Sequence, residues 1–184
     1  MDIWLYEKCV EKQLSPKRMQ HTRGCVQTAC ELAEIWGADV EKAHVAALLH
    51  DITKEQSLPA QLKLCEKHDI IISDTQRKVP ELLHAVTGAK LVHAEFSIPE
   101  DVCSAIRWHT TGKPDMTVLE KVIWLADLIE PGRDFPGVDE IREMARRDLD
   151  AALLMGFGRT IQYLTENKRI IDCDMIQAWN WLVG

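Results

Sequence analysis

Apolar side chains recur at steps of three and four residues along almost the whole chain, and this spacing constrains the fold more than any other feature. The clearest stretch begins at Ser15-Pro16 and ends at Gly37. A serine followed by proline is typical of a helix start, and glycine of a helix end. The apolar stripe between these signals consists of Met19, Thr22, Val26, Ala29, Ala33 and Trp36. No segment shows the period of two that strands require, so the chain is predicted to be all-α.

The same signals predict further helices, packed as a bundle in a single domain covering residues 1–184. A chain of 184 residues is long enough to bury a core of its own. The predicted spans are Asp39 to His50, Pro59 to His68, Leu82 to Glu95, Pro99 to His109, Val118 to Ile129, Val138 to Arg146, Leu149 to Asn167 and Asp174 to Leu182. The loop from Glu130 to Val138 is interpreted as a functional loop rather than a domain boundary.

Composition and charge exclude several classes of protein. The net charge of −7 argues against general nucleic-acid binding, although a metal and a few cations would still admit an anionic small substrate. No run approaches the roughly 20 apolar residues that span a bilayer, so no membrane association is expected. The N-terminus has neither a basic region nor a cleavage site typical of secretion, which predicts a cytoplasmic protein.

The cysteine pattern predicts reduced thiols rather than disulfides or a zinc cluster. No pair has C-x-x-C spacing, and most cysteines fall in helical, apolar surroundings where a thiol packs as a small hydrophobe. The six residues are Cys9, Cys25, Cys30, Cys65, Cys103 and Cys173.

An ordered set of histidines and aspartates indicates a metal site. His50-Asp51 closes the apolar stretch 46–49, and Asp127 shares a helix face with Ile123 and Leu119. Two polar side chains at the inner end of a buried helix need partners. The alternatives are a solvated helix end for the pair, a buried salt bridge for Asp127 and a structural core histidine for His21.

Taken together, His21, His50, Asp51 and Asp127 form a set of two nitrogen and two oxygen ligands on three predicted helices. Side-by-side helices are able to direct such groups at one centre. His84 and His109 are candidates for a second metal or for phosphate. The three remaining histidines, interpreted as surface or structural, are His44, His68 and His93.

The residues resemble the HD superfamily of metal-dependent phosphohydrolases, whose pattern is a histidine, a His-Asp pair and a later aspartate. The resemblance is closer to the bacterial YqeK-type family of symmetrical diadenosine tetraphosphate hydrolases, and it runs from about Tyr6 to Trp181. The matching segments are His21-Thr22, Leu48 to Lys54, His109 to Gly112 and Leu125 to Val138. It implies an HD-domain helical bundle in which a metal-bound hydroxide cleaves the polyphosphate bridge into two ADP molecules.

Carried over position by position, the resemblance also implies roles for individual residues. One or two divalent metals, iron first, with manganese, cobalt or zinc as alternatives, would be held by His21, His50, Asp51 and Asp127, with His84 and His109 near a second ion. The catalytic residues would be Asp51, Lys54 and Arg133. The substrate, a dinucleoside polyphosphate or an ADP- or GDP-like nucleotide, would lie against Arg18, His21, Asp51, Lys54, His84, His109, Thr110, Thr111, Asp127 and Arg133. The segment 172–177 corresponds to a part near the nucleoside.

Two alternatives to this function stay open at the level of sequence. The first is another HD phosphohydrolase acting on deoxynucleotides, guanosine alarmones or cyclic dinucleotides. The second is a non-catalytic regulator that binds metal or nucleotide. Trp4 and Trp181 would suit a homodimer contact or core packing equally well.

Overall fold

Eleven α-helices and one 3-10 turn at Pro80–Leu82 make up the fold, as described for residues 1–184 by a computed structural model. The absence of any strand confirms the all-α prediction. The helices are α1 (Ile3–Gln13), α2 (Pro16–Trp36), α3 (Val40–Leu49), α4 (Leu58–Lys67), α5 (Asp74–Lys78), α6 (Leu83–Phe96), α7 (Glu100–Trp108), α8 (Val118–Ile129), α9 (Val138–Ala145), α10 (Leu149–Glu166) and α11 (Cys173–Val183).

Capping residues fix the helices that carry the site. The Ser15 hydroxyl accepts a hydrogen bond from the Arg18 N–H at the start of α2, and Gly37 ends α2 in the left-handed region at φ 71°. Thr117 and Glu120 form a reciprocal capping box at the start of α8. Such contacts satisfy backbone groups that have no partner within the helix. Predicted and observed helix ends therefore agree to within about one residue.

Two helices were not predicted from the sequence. Helix α1 has Asp2 as its N-cap and buries only Tyr6 and Val10, while Trp4 and Leu5 on its other face are exposed. Helix α5 has only five residues and begins at a capping box formed by Ser73 and Gln76. The apolar pattern of α1 is mixed, and α5 is too short to show a helical period. The spacing of apolar residues therefore reveals neither helix.

Helices α2, α3 and α8 pack against one another and form the centre of the fold. Helix α7 lies against α3 and α8, and α6 lies against α7. A continuous apolar core of 40 buried residues runs through these helices and into α10. This packing brings together His21 on α2, His50 at the end of α3 and Asp127 on α8.

The two terminal tryptophans lie on the surface. Trp4 is 68% exposed and Trp181 is 58% exposed, so core packing does not account for either residue. None of the helices combines the length and the apolar character that crossing a lipid bilayer requires.

Candidate metal centre

Four histidine rings surround the buried carboxylate of Asp51. Oδ2 of Asp51 lies 3.3 Å from Nε2 of His50 and 3.8 Å from Nε2 of His21. Oδ1 lies 3.2 Å from Nε2 of His84 and 3.8 Å from Nε2 of His109. The two oxygens therefore face two different pairs of histidines, and Asp51 stands between the two halves of one cluster.

Three of the four rings are oriented by a backbone carbonyl that contacts the nitrogen facing away from Asp51. Nδ1 of His50 bonds to the Ala47 carbonyl at 2.6 Å, and Nδ1 of His109 bonds to the Ile106 carbonyl at 2.7 Å. Nδ1 of His84 bonds to the Glu81 carbonyl, again three residues earlier in the chain. A carbonyl oxygen only accepts, so each Nδ1 carries a proton, and in a neutral ring Nε2 is then the unprotonated nitrogen. The Nε2 lone pairs are left to face the centre.

The cluster needs a cation to be satisfied. Nε2 of His84 and Nε2 of His109 are 3.0 Å apart, and two unprotonated nitrogens repel at that distance. Nε2 of His50 is buried without a hydrogen-bond partner. Imidazole nitrogens that face one another in this way are ordinary ligands of a divalent metal, which would offset their repulsion. The donor set therefore fits a divalent metal, and the predicted cluster of histidines and aspartates is present in the fold.

Asp127 closes the cluster on the solvent side. Its Oδ1 lies 3.1 Å from Nε2 of His21 and accepts a hydrogen bond from Nη2 of Arg133 at 2.7 Å. Arg133 also donates through Nε to the Asp127 carbonyl. The salt bridge considered as an alternative for Asp127 is thus present alongside the histidine contact. The carboxylate is partly exposed and is within reach of an ion at the cluster.

Burial and charge set the protonation of these groups. Burial, with the neighbouring His50 and His84, lowers the pKa of His109 to about 3, and burial also lowers the pKa of His84. Burial opposes charge on His50, but the Asp51 and Asp127 carboxylates and the bond to the Ala47 carbonyl together raise the pKa of His50. Burial likewise opposes charge on Asp51, yet His50 and His84 hold its pKa well below the usual range. His84 and His109 are neutral at pH 7, as metal ligation requires.

Two cavities flank the cluster, and Arg133 lines both of them. The first, of about 470 Å³, has aromatic walls formed by Trp124, Phe135 and Tyr163, and it also includes Arg159. The second, of about 780 Å³, is lined mainly by polar and charged residues, in which four cations outnumber the two acids Glu55 and Glu130. Its cationic residues are Lys17, Arg18, Arg23 and Arg133.

Of the other residues predicted to contact the substrate, some touch the cluster and others lie farther from it. Nη1 of Arg18 donates to Oδ2 of Asp51 at 3.0 Å, and Nζ of Lys54 lies 3.4 Å from the ring nitrogens of His84. Thr110 lines the aromatic cavity, and its buried hydroxyl has no partner. The Thr111 hydroxyl is buried and donates to the Gly112 carbonyl. The segment 172–177 does not line that cavity, so its expected nucleoside contact stays a prediction.

The three histidines interpreted as surface or structural take no part in the cluster. His93 is exposed and contacts the Ile98 carbonyl, and His44 is half-buried within α3. His68 is half-buried at the end of α4, with an unpartnered Nε2.

Two members of the site were not predicted from the sequence. Oε1 of Glu130 lies 3.1 Å from Nδ1 of His21, and the carboxylate is almost fully buried. Sγ of Cys25 lies 3.4 Å from Nε2 of His21, so this thiol belongs to the cluster's surroundings as well as to the core. Burial, helped by Asp127 and Glu130, raises the pKa of Cys25 and keeps it protonated. In the sequence, Glu130 is marked only by its place directly after the apolar stretch that forms α8.

Comparison with known proteins agrees with this geometry. The family described as HD domain matches residues 18–132, which include His21, His50, Asp51 and Asp127. The chain is 44% identical over 179 residues to a protein of Bacillus subtilis named symmetrical bis(5'-nucleosyl)-tetraphosphatase, covering 96% of this chain and 95% of the relative. It is 41% identical to a protein of the same name from Halalkalibacterium halodurans, covering 95% of this chain and 93% of the relative.

A solved structure extends the likeness to the whole fold. The crystal structure of a predicted HD superfamily hydrolase involved in NAD metabolism, from Clostridium acetobutylicum, superimposes with a TM-score of 0.95 at 38% identity. The match covers 100% of this chain and 97% of the other. The chain therefore belongs to the HD-domain family, and within it to the group of proteins named symmetrical bis(5'-nucleosyl)-tetraphosphatase.

Proposed function

We propose that this protein is a metal-dependent hydrolase that cleaves diadenosine tetraphosphate symmetrically into two molecules of ADP. The observation that carries the proposal is the convergence of four histidine Nε2 atoms on Asp51, with Asp127 beside them. Relatives named for this activity align over nearly the full length of the chain, which supports the same reaction here. Water adds to one central phosphorus, the central anhydride bond breaks, and the second ADP leaves.

The proposed ligands are His21, His50, Asp51 and Asp127, with His84 and His109 completing the sphere of a second ion. Imidazole and carboxylate ligands suit iron or manganese, with cobalt and zinc as alternatives, and we propose iron. A bound divalent ion would lower the pKa of water towards about 7 and neutralise charge on a phosphoryl oxygen. The two oxygens of Asp51 face the two histidine pairs, so this carboxylate would help to hold an ion on either side.

Three cations are proposed to bind the polyphosphate. Arg18 and Arg133 contact Asp51 and Asp127, and Lys54 is beside His84. A metal ion would compete with these arginines for the carboxylates and free their donors for phosphate. The planar fork of Arg133 is suited to two phosphate oxygens at once, and Lys54 supplies a point charge. Fixed positive charge at this place stabilises the negative charge that develops on the leaving ADP.

The two cavities fit the two halves of such a substrate. Ligand cavities usually measure about 300–1,000 Å³, and aromatic walls favour a flat base. We assign one nucleoside to the cavity lined by Trp124, Phe135 and Tyr163 and the other half to the cationic cavity. Arg133, His109 and Thr110 lie where the polyphosphate would pass the cluster. The Thr110 hydroxyl has no hydrogen-bond partner and is available to donate to a phosphate oxygen.

The reaction is tested by incubating purified protein, loaded with iron or manganese, with a panel of nucleotides and separating the products by chromatography. The panel contains diadenosine tetraphosphate, a deoxynucleoside triphosphate, a guanosine alarmone and a cyclic dinucleotide. We expect diadenosine tetraphosphate to yield ADP alone and to have the highest kcat/KM. Equal amounts of AMP and ATP would contradict symmetrical cleavage. Preference for another nucleotide, or tight binding without turnover under any metal, would contradict the proposed substrate or the enzymatic role.

Replacement of Arg133 by methionine tests the phosphate contacts. Loss of a hydrogen bond to a charged group costs about 1.5–3 kcal/mol, so we expect kcat/KM to fall about 10- to 100-fold with metal content unchanged. The matched control is Arg146→Met, because Arg146 lies on the surface and pairs only with Glu31. Unchanged kinetics in Arg133→Met would remove this residue from the substrate site.

Three further expectations stay predictions. They are the substrate contact of Thr111, a homodimer and a cytoplasmic location. The exposure of Trp4 and Trp181 is compatible with a subunit contact, and light scattering of the purified protein measures its oligomeric state. A monomer at micromolar concentration would contradict the dimer.

A further inference from the structure

His21 differs from the other three histidines in how its ring is oriented. His50 and His109 follow the last residues of α3 and α7, where backbone carbonyls lack helical partners and are free to accept from Nδ1. His84 uses the Glu81 carbonyl within the 3-10 turn before α6. His21 lies inside α2, whose carbonyls are engaged by the helix itself. Its Nδ1 therefore needs an acceptor from elsewhere in the fold, and the acceptor is Glu130, 109 residues further along the chain.

The carboxylate of Glu130 is held in a closely fitted position. Oε1 faces Nδ1 of His21 at 3.1 Å, and Oε2 accepts a hydrogen bond from the Gly132 N–H. The residue is 5% exposed. Nε of Arg133 lies 3.8 Å from Oε1 and adds positive charge on the same side. Both carboxylate oxygens are thus engaged, and rotation of the group would break two contacts.

Two glycines make room for this carboxylate. A Cβ at Gly24 would lie 2.5 Å from Oε2 of Glu130, and a Cβ at Gly132 would lie 3.0 Å from both oxygens. Gly24 is in the interior of α2, where glycine weakens a helix relative to alanine. Neither glycine has the left-handed conformation that would require it, so the carboxylate is what restricts these positions: a Cβ at Gly24 would displace it, and a Cβ at Gly132 would press against it.

We propose that Glu130 is a positioning residue for the metal centre, acting through His21, and that Gly24 and Gly132 exist to admit its carboxylate. The inference rests on the metal site of the proposed function. By accepting a hydrogen bond from Nδ1, Glu130 orients the ring of His21 so that Nε2 faces the cluster, 3.1 Å from Oδ1 of Asp127. A carboxylate behind a ligating imidazole also makes that imidazole a better donor to the metal.

The proposal is tested by the affinity of the purified protein for Mn²⁺ alone, measured by competition with a chelator. In Glu130→Gln the amide oxygen replaces only one of the two carboxylate oxygens as an acceptor. The amide NH₂ group takes the place of the other oxygen and then faces either Nδ1 of His21 or the Gly132 N–H, both of which are donors. We expect the Kd for Mn²⁺ to rise about 10- to 100-fold, the usual effect of losing such a partner. Gly24→Ala is expected to weaken binding in the same direction, because its Cβ displaces the carboxylate without changing any polar group.

Matched controls separate positioning from folding. Glu120→Gln removes another buried carboxylate, one bonded to Ser104 and to the Thr117 N–H away from the cluster, and it should leave the Kd within twofold of the original. Gly88→Ala is the control for Gly24→Ala. The nearest atoms to a Cβ at Gly88 would lie 3.5 Å away, which is an ordinary van der Waals distance.

A Kd in Glu130→Gln within twofold of the unmodified protein would overturn the proposal. Equal weakening in Glu130→Gln and Glu120→Gln would overturn it too, because the effect would then come from the fold as a whole. Absorption spectra of the Co²⁺-loaded proteins give a second readout, and a change of band shape in Glu130→Gln alone is expected. The nucleotide does not enter these measurements, so their outcome is independent of which substrate the enzyme takes.

Discussion

Replacement of Asp51 by alanine is expected to abolish turnover of diadenosine tetraphosphate and to remove bound metal while leaving the helical fold intact. Asp51 is the one residue whose two oxygens face both halves of the cluster, towards His50 on one side and His84 on the other. Losing roughly 4 kcal/mol of metal-derived stabilisation of the transition state corresponds to about a 10³-fold fall in kcat/KM. The measurements are kcat/KM, metal per chain by mass spectrometry and the far-ultraviolet circular dichroism spectrum.

The matched control for this variant is Asp101→Ala. Asp101 is half-exposed and pairs with Lys42 on the surface, where an ion pair contributes at most about 1 kcal/mol. We expect this control to keep its metal and its activity. Near-normal turnover in Asp51→Ala with reduced metal would show that the reaction does not depend on this carboxylate.

Replacement of Phe157 by alanine is expected to lower the free energy of unfolding by about 3–5 kcal/mol, the usual cost of truncating a buried aromatic ring. Phe157 is completely buried in α10. Its ring centroid lies 4.2 Å from that of Trp124, which lines the aromatic cavity. The ring also packs against Gly112, whose φ of 66° and missing Cβ allow that close approach. Phe157 therefore supports the wall of the proposed nucleoside cavity and the turn after His109 from behind.

Urea unfolding of Phe157→Ala and of Tyr163→Ala measures this effect. Tyr163 is on the same helix but 48% exposed, and its truncation should change the free energy of unfolding by about 0.5 kcal/mol or less. A shift in the midpoint at constant denaturant slope is the expected signature of lost stability. If Phe157→Ala lowers the free energy of unfolding by less than about 1 kcal/mol, the core relaxes around the cavity, and the ring is not closely packed.

Most of the fold was predictable from the sequence because its helix ends carry local signals. Ser15, Asp39 and Thr117 accept the backbone N–H bonds expected of N-cap residues. Helix α1 was missed because its exposed Trp4 and Leu5 interrupt the apolar pattern, and α5 because five residues show no period. In both cases tertiary packing and a single cap decide the structure.

In the candidate site, only residues whose side-chain chemistry contrasts with the surrounding sequence could be predicted. His50, Asp51 and Asp127 stand out because strongly polar groups follow or interrupt apolar helical stretches. Glu130 gave no comparable signal, since its partner His21 lies 109 residues away and meets it only through the packing of α2 against α8. The aromatic cavity likewise depends on bringing Trp124, Phe135 and Tyr163 together from three segments.

Anomalous diffraction from a crystal of the iron- or manganese-loaded protein tests the central claim most directly, because it locates the ions themselves. We expect one or two peaks about 2.0–2.3 Å from the Asp51 carboxylate, with Nε2 of His21 and His50 among the ligands of the first. Peaks confined to other parts of the molecule, with none within about 3 Å of Asp51, would contradict it.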